Sequence, residues 1–262
     1  MTHKPRIPLR KGVFILPNLL TTASLFSGFL GLLWAVQGRI EACALAILVS
    51  ALFDGLDGKV ARLTGTASEF GVQYDSLADL VAFGVTPAVM VFHWQLFHYG
   101  RLGLMAAFLI VACGALRLAR FNVQTVHTSK RFFIGLPIPA QACILATLVF
   151  FARFLPEAWL DSVLPMGCLV LAYALSFLMV SKVRYASFKE YGFVKAHPFS
   201  SMVTVILLFV LVGSQPRLLG FIILFGYMLS GPIHTYFMWL RGSRITGGAR
   251  TAREGRKEQE QP

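Results

Sequence analysis

The chain has 262 residues, of which 56% are hydrophobic and only 14% charged, with a net charge of +12. That balance excludes an ordinary soluble domain, in which about a quarter of the residues are charged. Cys43, Cys113, Cys143 and Cys168 stand singly in apolar runs, without CxxC pairing or zinc spacing, so they read as small core residues rather than a disulfide or metal framework.

Apolar runs long enough to cross a bilayer recur from one end to the other. The first, near 14–36, follows a basic segment, but it is too long for a signal-peptide core and lacks a small-x-small cleavage site; it reads as retained. The second and third, near 41–62 and 69–97, enclose the acidic stretch DGLDGKVARLTGTASEFGVQYDSLAD. Further runs near 102–121, 137–154, 162–181, 199–213 and 218–240 bring the expected count to eight. The expectation is an all-α integral membrane protein with about eight transmembrane helices. Trp34, Trp94 and Trp239 fall near span ends, as an interfacial belt requires.

Lys and Arg set the direction. With the N-terminus inside, one side collects Lys4, Arg6, Arg10, Lys11, Lys59, Arg62, Arg117, Arg120, Lys130, Arg131, Lys182, Arg184, Lys189, Lys195 and the tail cations, 20 of the 24. Arg39, Arg101, Arg153 and Arg217 remain for the other side. This predicts a multi-pass cell-membrane protein with cytoplasmic N- and C-termini. Residues 1–240 form one transmembrane domain, and 241–262 form a basic tail expected to be disordered. The positive charge reads as topology and affinity for anionic lipid surfaces, since no soluble module is present to bind nucleic acid.

Four of the five aspartates, Asp54, Asp57, Asp75 and Asp79, fall within 26 residues between strongly apolar flanks. A carboxylate at membrane depth costs about 2.5–3.5 kcal/mol on insertion scales, so four together call for positive charge to neutralise them. Asp54, Asp57, Gly58 and Ala61 share one helical stripe, and Gly71, Asp75 and Asp79 share another. Gly65 can end the first helix, and Thr66 with Glu69 fits a capping box opening the second. In a tight hairpin turning near residue 66, Asp57 mirrors Asp75 and Asp54 mirrors Asp79, about 13 Å from the turn. An all-oxygen set of this kind suits hard divalent cations, and four carboxylates suffice for two. Two ions so held can clamp a phosphoryl or pyrophosphate group.

Gly58 and Gly71 have no Cβ to obstruct a ligand approaching the backbone, although glycines also serve tight helix packing. Arg62, near the cytoplasmic end of its span, and Lys59 beside it can reach a phosphate. Further along, LRLARFN places Arg117 and Arg120 one turn apart beside Asn122. They are either positive-inside anchors or a cradle for a carboxylate or phosphate. His93, His98, His127 and His234 read as packing residues.

The pattern Asp54-x2-Asp57-Gly58-x2-Ala61-Arg62-x8-Gly71-x3-Asp75-x3-Asp79 resembles, position for position, the signature of the CDP-alcohol phosphotransferases. Around it, ILPNLLTTASLFSGFLGL, FGVTPAVM, LRLARFN and IGLPIPAQA look like the membrane phosphatidylserine synthases of that family. The resemblance implies transfer of the phosphatidyl group of CDP-diacylglycerol to L-serine, with release of CMP and dependence on two divalent cations, Mg²⁺ or Mn²⁺. It implies that Asp54, Asp57 and Asp75 hold metal and that Asp79, completing the acidic set, is the general base. Gly58, Lys59, Ala61, Arg62 and Gly71 would meet CDP-diacylglycerol, and Arg117, Arg120 and Asn122 would meet serine. A homodimer in contact with membrane lipids is also implied. Two other readings are open: the same chemistry on glycerol 3-phosphate or inositol phosphate, and a divalent-cation transporter with an aspartate pathway.

Overall fold

The structure is a computed structural model and describes residues 15–65, 68–124, 133–185 and 215–236. The expected span at 199–213, the cations at Lys130, Arg131, Lys189 and Lys195, His127, Thr66 and the tail 241–262 lie outside the described residues.

Seven helices make up nearly all of the described chain: α1 (Ile15–Val36), α2 (Ile40–Thr64), α3 (Glu69–Tyr99), α4 (Arg101–Gln124), α5 (Ile138–Phe151), α6 (Glu157–Val180) and α7 (Pro216–Tyr236). Among them α1, α3, α4, α6 and α7 are long and apolar enough to cross a membrane. The 25-residue α2 carries Asp54, Asp57, Lys59 and Arg62, the first half of the acidic stretch, and α5 is shorter and runs on through a 3₁₀ turn to Phe154. Large apolar side chains such as Leu52, Phe70, Leu77, Phe108, Leu116 and Phe177 are exposed around the bundle. Water would penalise that surface, whereas lipid accepts it. The protein is a multi-pass helical membrane protein.

Small residues decide how closely the helices approach. On α1, Ser24, Ser27, Gly28, Gly31 and Ala35 are buried along one stripe, and α2 packs against most of its length. Ser24 Oγ lies 2.7 Å from Ser50 Oγ, and Ser27 donates to the Ala46 carbonyl at 2.9 Å. This is the small-residue packing with cross-helix hydrogen bonds that apolar surroundings favour.

Between α2 and α3 the chain turns as the glycine suggests: Gly65 adopts φ +65° and returns its N–H to the Ala61 carbonyl. The expected capping box needs correcting. Helix α3 begins at Glu69, so that residue stands at the first helical position, and Ser68 Oγ caps by accepting the Gly71 N–H at 3.0 Å. The two legs of the expected hairpin follow directly on either side of this turn. The Glu69–Asp79 leg has few contacts with α2 and leans on α1, as α2 itself does, whereas Leu80–Val91 of α3 packs on α2.

Helix α3 is not uniform. It passes through π-helical turns at Leu80–Val85 and Phe92–Leu96. Pro87 accounts for part of the first: it has no N–H, and the Thr86 N–H goes to Val81, five residues back. Thr86 Oγ1 bonds both Val81 O at 2.9 Å and Gly28 O at 3.0 Å, which ties the π turn to α1.

At the other side of the bundle α4 packs along α6, and α5 packs on α2. A two-residue antiparallel pair, β1 (Phe133–Ile134) and β2 (Arg184–Tyr185), joins the segments before α5 and after α6. Gly135, at φ +82°, lies where a side chain would strike the Met179 carbonyl. Tyr185 is fully buried and donates to the Met228 carbonyl of α7 at 3.2 Å. At the opposite end Arg153 pairs with Glu41, Nε to Oε1 at 2.7 Å, joining α5 to the start of α2. Cys43 and Cys168 are buried in the core, and none of the four cysteines is paired.

Candidate active site in the α2–α3 cleft

The second half of α2 and the first turns of α3 face one another across a cleft, with α1 as its wall. Carboxylate oxygens of Asp54, Asp57 and Asp75 all lie within 4.8 Å of one another. Asp79 lies beside Asp54, the pair at mirrored positions about the turn. Asp57 is the most deeply placed of the signature residues on α2, 5% exposed, and its Oδ2 accepts a 2.7 Å bond from Thr21 Oγ1.

The donor set consists of carboxylate oxygens from two helices. It fits a hard divalent cation better than a softer metal, which would draw on nitrogen or sulfur. Cys143 stands on α5 and is not part of the cluster.

The other expected residues divide by location. Gly58 is partly exposed, and a Cβ there would meet Arg62 Nη1 at 3.4 Å, an ordinary contact. Protein packing alone therefore does not demand glycine at 58. Gly71 is tighter: a Cβ would sit 3.2 Å from Ser68 Oγ and 3.5 Å from Asn18 Oδ1, so close capping already accounts for it. Arg62 interacts with Asp57 while remaining exposed; Lys59 is exposed and Ala61 half-buried.

Arg117, Arg120 and Asn122 do not act as one unit. Arg117 faces Asp79 and Tyr227, and its Nε is buried without a hydrogen-bond partner. Arg120 donates to the Val180 carbonyl at 3.4 Å, at the end of α6. Asn122 Nδ2 donates to Ser76 Oγ at 3.0 Å and reaches Gln73 Oε1 at 3.4 Å, both on α3. Only Arg117 turns toward the carboxylates. His93 and His98 pack edge-on against Phe92 and Phe97, away from the cluster.

Two contacts to α1 were not anticipated from the sequence: Thr21 to Asp57, and Thr22 to Tyr74 Oη at 2.9 Å. The polar pair inside the apolar run NLLTTASL was the available signal. A separate cavity of about 1270 Å³ opens at the far end of the bundle, among Arg39, Glu41, Trp94, His98, Arg153 and Asp161. It touches none of the signature residues.

Residues 14–180 match the profile of a family described as CDP-alcohol phosphatidyltransferase. The chain is 40% identical over 181 residues to a CDP-diacylglycerol–serine O-phosphatidyltransferase of Helicobacter pylori strain J99, covering 68% of this chain and 74% of that one. It is 36% identical over 173 residues to an archaetidylserine synthase of Methanothermobacter thermautotrophicus, covering 65% and 69%. A Mycobacterium leprae CDP-diacylglycerol–serine O-phosphatidyltransferase is 36% identical over 168 residues, 62% of this chain and 55% of that protein.

Proposed function

Since the chain belongs to the CDP-alcohol phosphatidyltransferase family, we propose that it transfers the phosphatidyl group of CDP-diacylglycerol to the hydroxyl of L-serine, giving phosphatidylserine and CMP. The observation that carries this reading is the convergence of Asp54, Asp57 and Asp75 from two helices of the signature into one oxygen cluster. Similarity to enzymes named for serine supports the choice of acceptor.

Asp54, Asp57 and Asp75 would hold two divalent cations, Mg²⁺ or Mn²⁺, with Asp79 completing the acidic set. Such ions, when bound, neutralise charge on the bridging and leaving oxygens of a pyrophosphate. The remaining steps belong to the chain. Gly58, Ala61 and Gly71 keep the walls of the cleft low enough for the nucleotide to lie against helix backbone. Arg62, with Lys59 beside it, swings to the diphosphate. The Asp79 carboxylate takes the proton of the serine hydroxyl, and the freed oxygen attacks the lipid-side phosphorus as the bond to CMP breaks. Arg117, beside Asp79 with a free Nε–H, grips the serine carboxylate. Arg120 and Asn122 border that acceptor pocket and brace α4 against α6 and α3.

The same reading places eight spans in the cell membrane, with both termini and the α2–α3 turn on the cytoplasmic side. Acyl chains of the substrate then remain in the bilayer, and a homodimer is the assembly. The decisive measurement is CMP release by purified protein from CDP-diacylglycerol with Mg²⁺ or Mn²⁺ across a panel of acceptors. L-serine should support release, and glycerol 3-phosphate or inositol phosphate little. Preference for a phosphorylated acceptor would overturn the serine assignment while keeping the chemistry. No CMP with any alcohol would favour cation transport.

A further inference from the structure

Helix α1 carries no signature residue, yet its neighbouring threonines each touch a different leg of the acidic cleft. Thr21 Oγ1 lies 2.7 Å from Asp57 Oδ2 and 3.1 Å from the Pro17 carbonyl. A hydroxyl has one proton; it goes to the closer, charged acceptor, because charge-assisted bonds are the stronger ones. Thr21 is 4% exposed and Asp57 5%, so this bond is shielded from competing water. Thr22 Oγ1 donates to the Asn18 carbonyl at 2.7 Å, which leaves Tyr74 Oη of α3 to donate to Thr22 at 2.9 Å. Tyr74 directly precedes Asp75.

At the level of the carboxylates the Glu69–Asp79 segment of α3 makes few contacts with α2, and both pack on α1. Their separation at the carboxylates is therefore not set by contact between them. We propose that Thr21 and Thr22 are positioning residues that hold the two halves of the cation site in register, Thr21 by orienting the Asp57 carboxylate and Thr22 by anchoring the α3 leg through Tyr74. With one oxygen occupied by Thr21, Asp57 presents its other oxygen to the cluster in a defined rotamer. This inference rests on the reading that the aspartates bind divalent cations.

The test is Mn²⁺ binding to the full-length protein without either substrate, followed by the electron paramagnetic resonance signal of the free ion. Thr21→Val keeps the shape and removes the hydroxyl; it should weaken Mn²⁺ binding about ten- to hundredfold, the usual effect of losing a partner behind a metal ligand. Thr21→Ser restores the donor and should bind like the parent. Thr22→Val should weaken binding less, since its contact reaches the site through Tyr74. The metal-free melting temperature of Thr21→Val should stay near that of the parent. Equal Mn²⁺ affinity for the parent and Thr21→Val overturns the inference, as does a loss in Thr21→Val matched by an equal fall in metal-free melting temperature. If the parent binds Mn²⁺ no better than Asp57→Asn, the cation reading itself fails, which is a separate result.

Discussion

Asp57 and Asp79 lie close together but have different partners, and the roles proposed for them differ accordingly. Asp57 is oriented by Thr21 and joins Asp54 and Asp75 within 4.8 Å. Asp57→Asn removes a ligand charge, so it should abolish turnover and shift the Mn²⁺ requirement to higher concentration. Asp79 is flanked by Arg117 and Asp54. Asp79→Asn should lower kcat by about 10²–10⁴, the range for losing a general base, while CDP-diacylglycerol binding is largely kept. Near-normal kcat across pH in that variant would remove Asp79 from the role. The two arginines separate in the same way. Arg117→Lys keeps charge but loses the planar fork, so the KM for serine should rise about ten- to hundredfold, as for a charge-assisted contact of roughly 1.5–3 kcal/mol. Arg120→Lys should change it less, because that guanidinium is already given to Val180. Equal rises in the KM for serine and for CDP-diacylglycerol would assign Arg117 to phosphate instead.

At the scale of the element, the π turn of α3 matters because it begins at the residue after Asp79. Each residue of an α-helix advances about 100°, so regularising the turn would rotate Asp75 and Asp79 away from Asp54 and Asp57. Thr86 and Gly28 hold it in place. A Cβ on Gly28 would come 2.7 Å from Ala82 Cα and Cβ, inside the π turn. Both atoms belong to rigid backbone or its first carbon, so Gly28→Ala must push α1 and α3 apart. It should destabilise the protein by about 1–3 kcal/mol, as overpacking does, and reduce Mn²⁺ affinity with it. Thermal unfolding in detergent checks the first effect and metal titration the second. Unchanged values for both would show that the turn is not held by α1.

For the whole molecule, charge and hydropathy make a claim that labelling can check. Arg62, Arg117, Arg120 and Lys182 lie at one set of helix ends, and Arg39, Arg101 and Arg153 at the other. The native cysteines lie inside helices and are at least partly buried. Single cysteines introduced at Lys182 and Arg101 of a cysteine-free variant should therefore label from opposite faces of the membrane. Lys182→Cys should react from the cytoplasmic side and Arg101→Cys from the other. Labelling of both from one side would overturn the topology.

Properties that repeat along the chain were legible before any coordinates. A bilayer demands long apolar runs, and a helix puts residues three and four apart on one face, so the membrane class and both aspartate stripes follow from spacing alone. Gly65 as the exit of α2 was legible for the same local reason. Contacts between positions far apart in the chain leave no such trace. Thr21 meets Asp57 across 36 residues, and Thr22 meets Tyr74 across 52. Which serine or threonine caps α3, which arginine faces Asp79, and how far α2 stands from α3 depend on how α1, α4 and α6 pack. Hydropathy is blind to that packing, because a membrane helix is largely apolar on its lipid-facing side and on much of its helix-facing side alike.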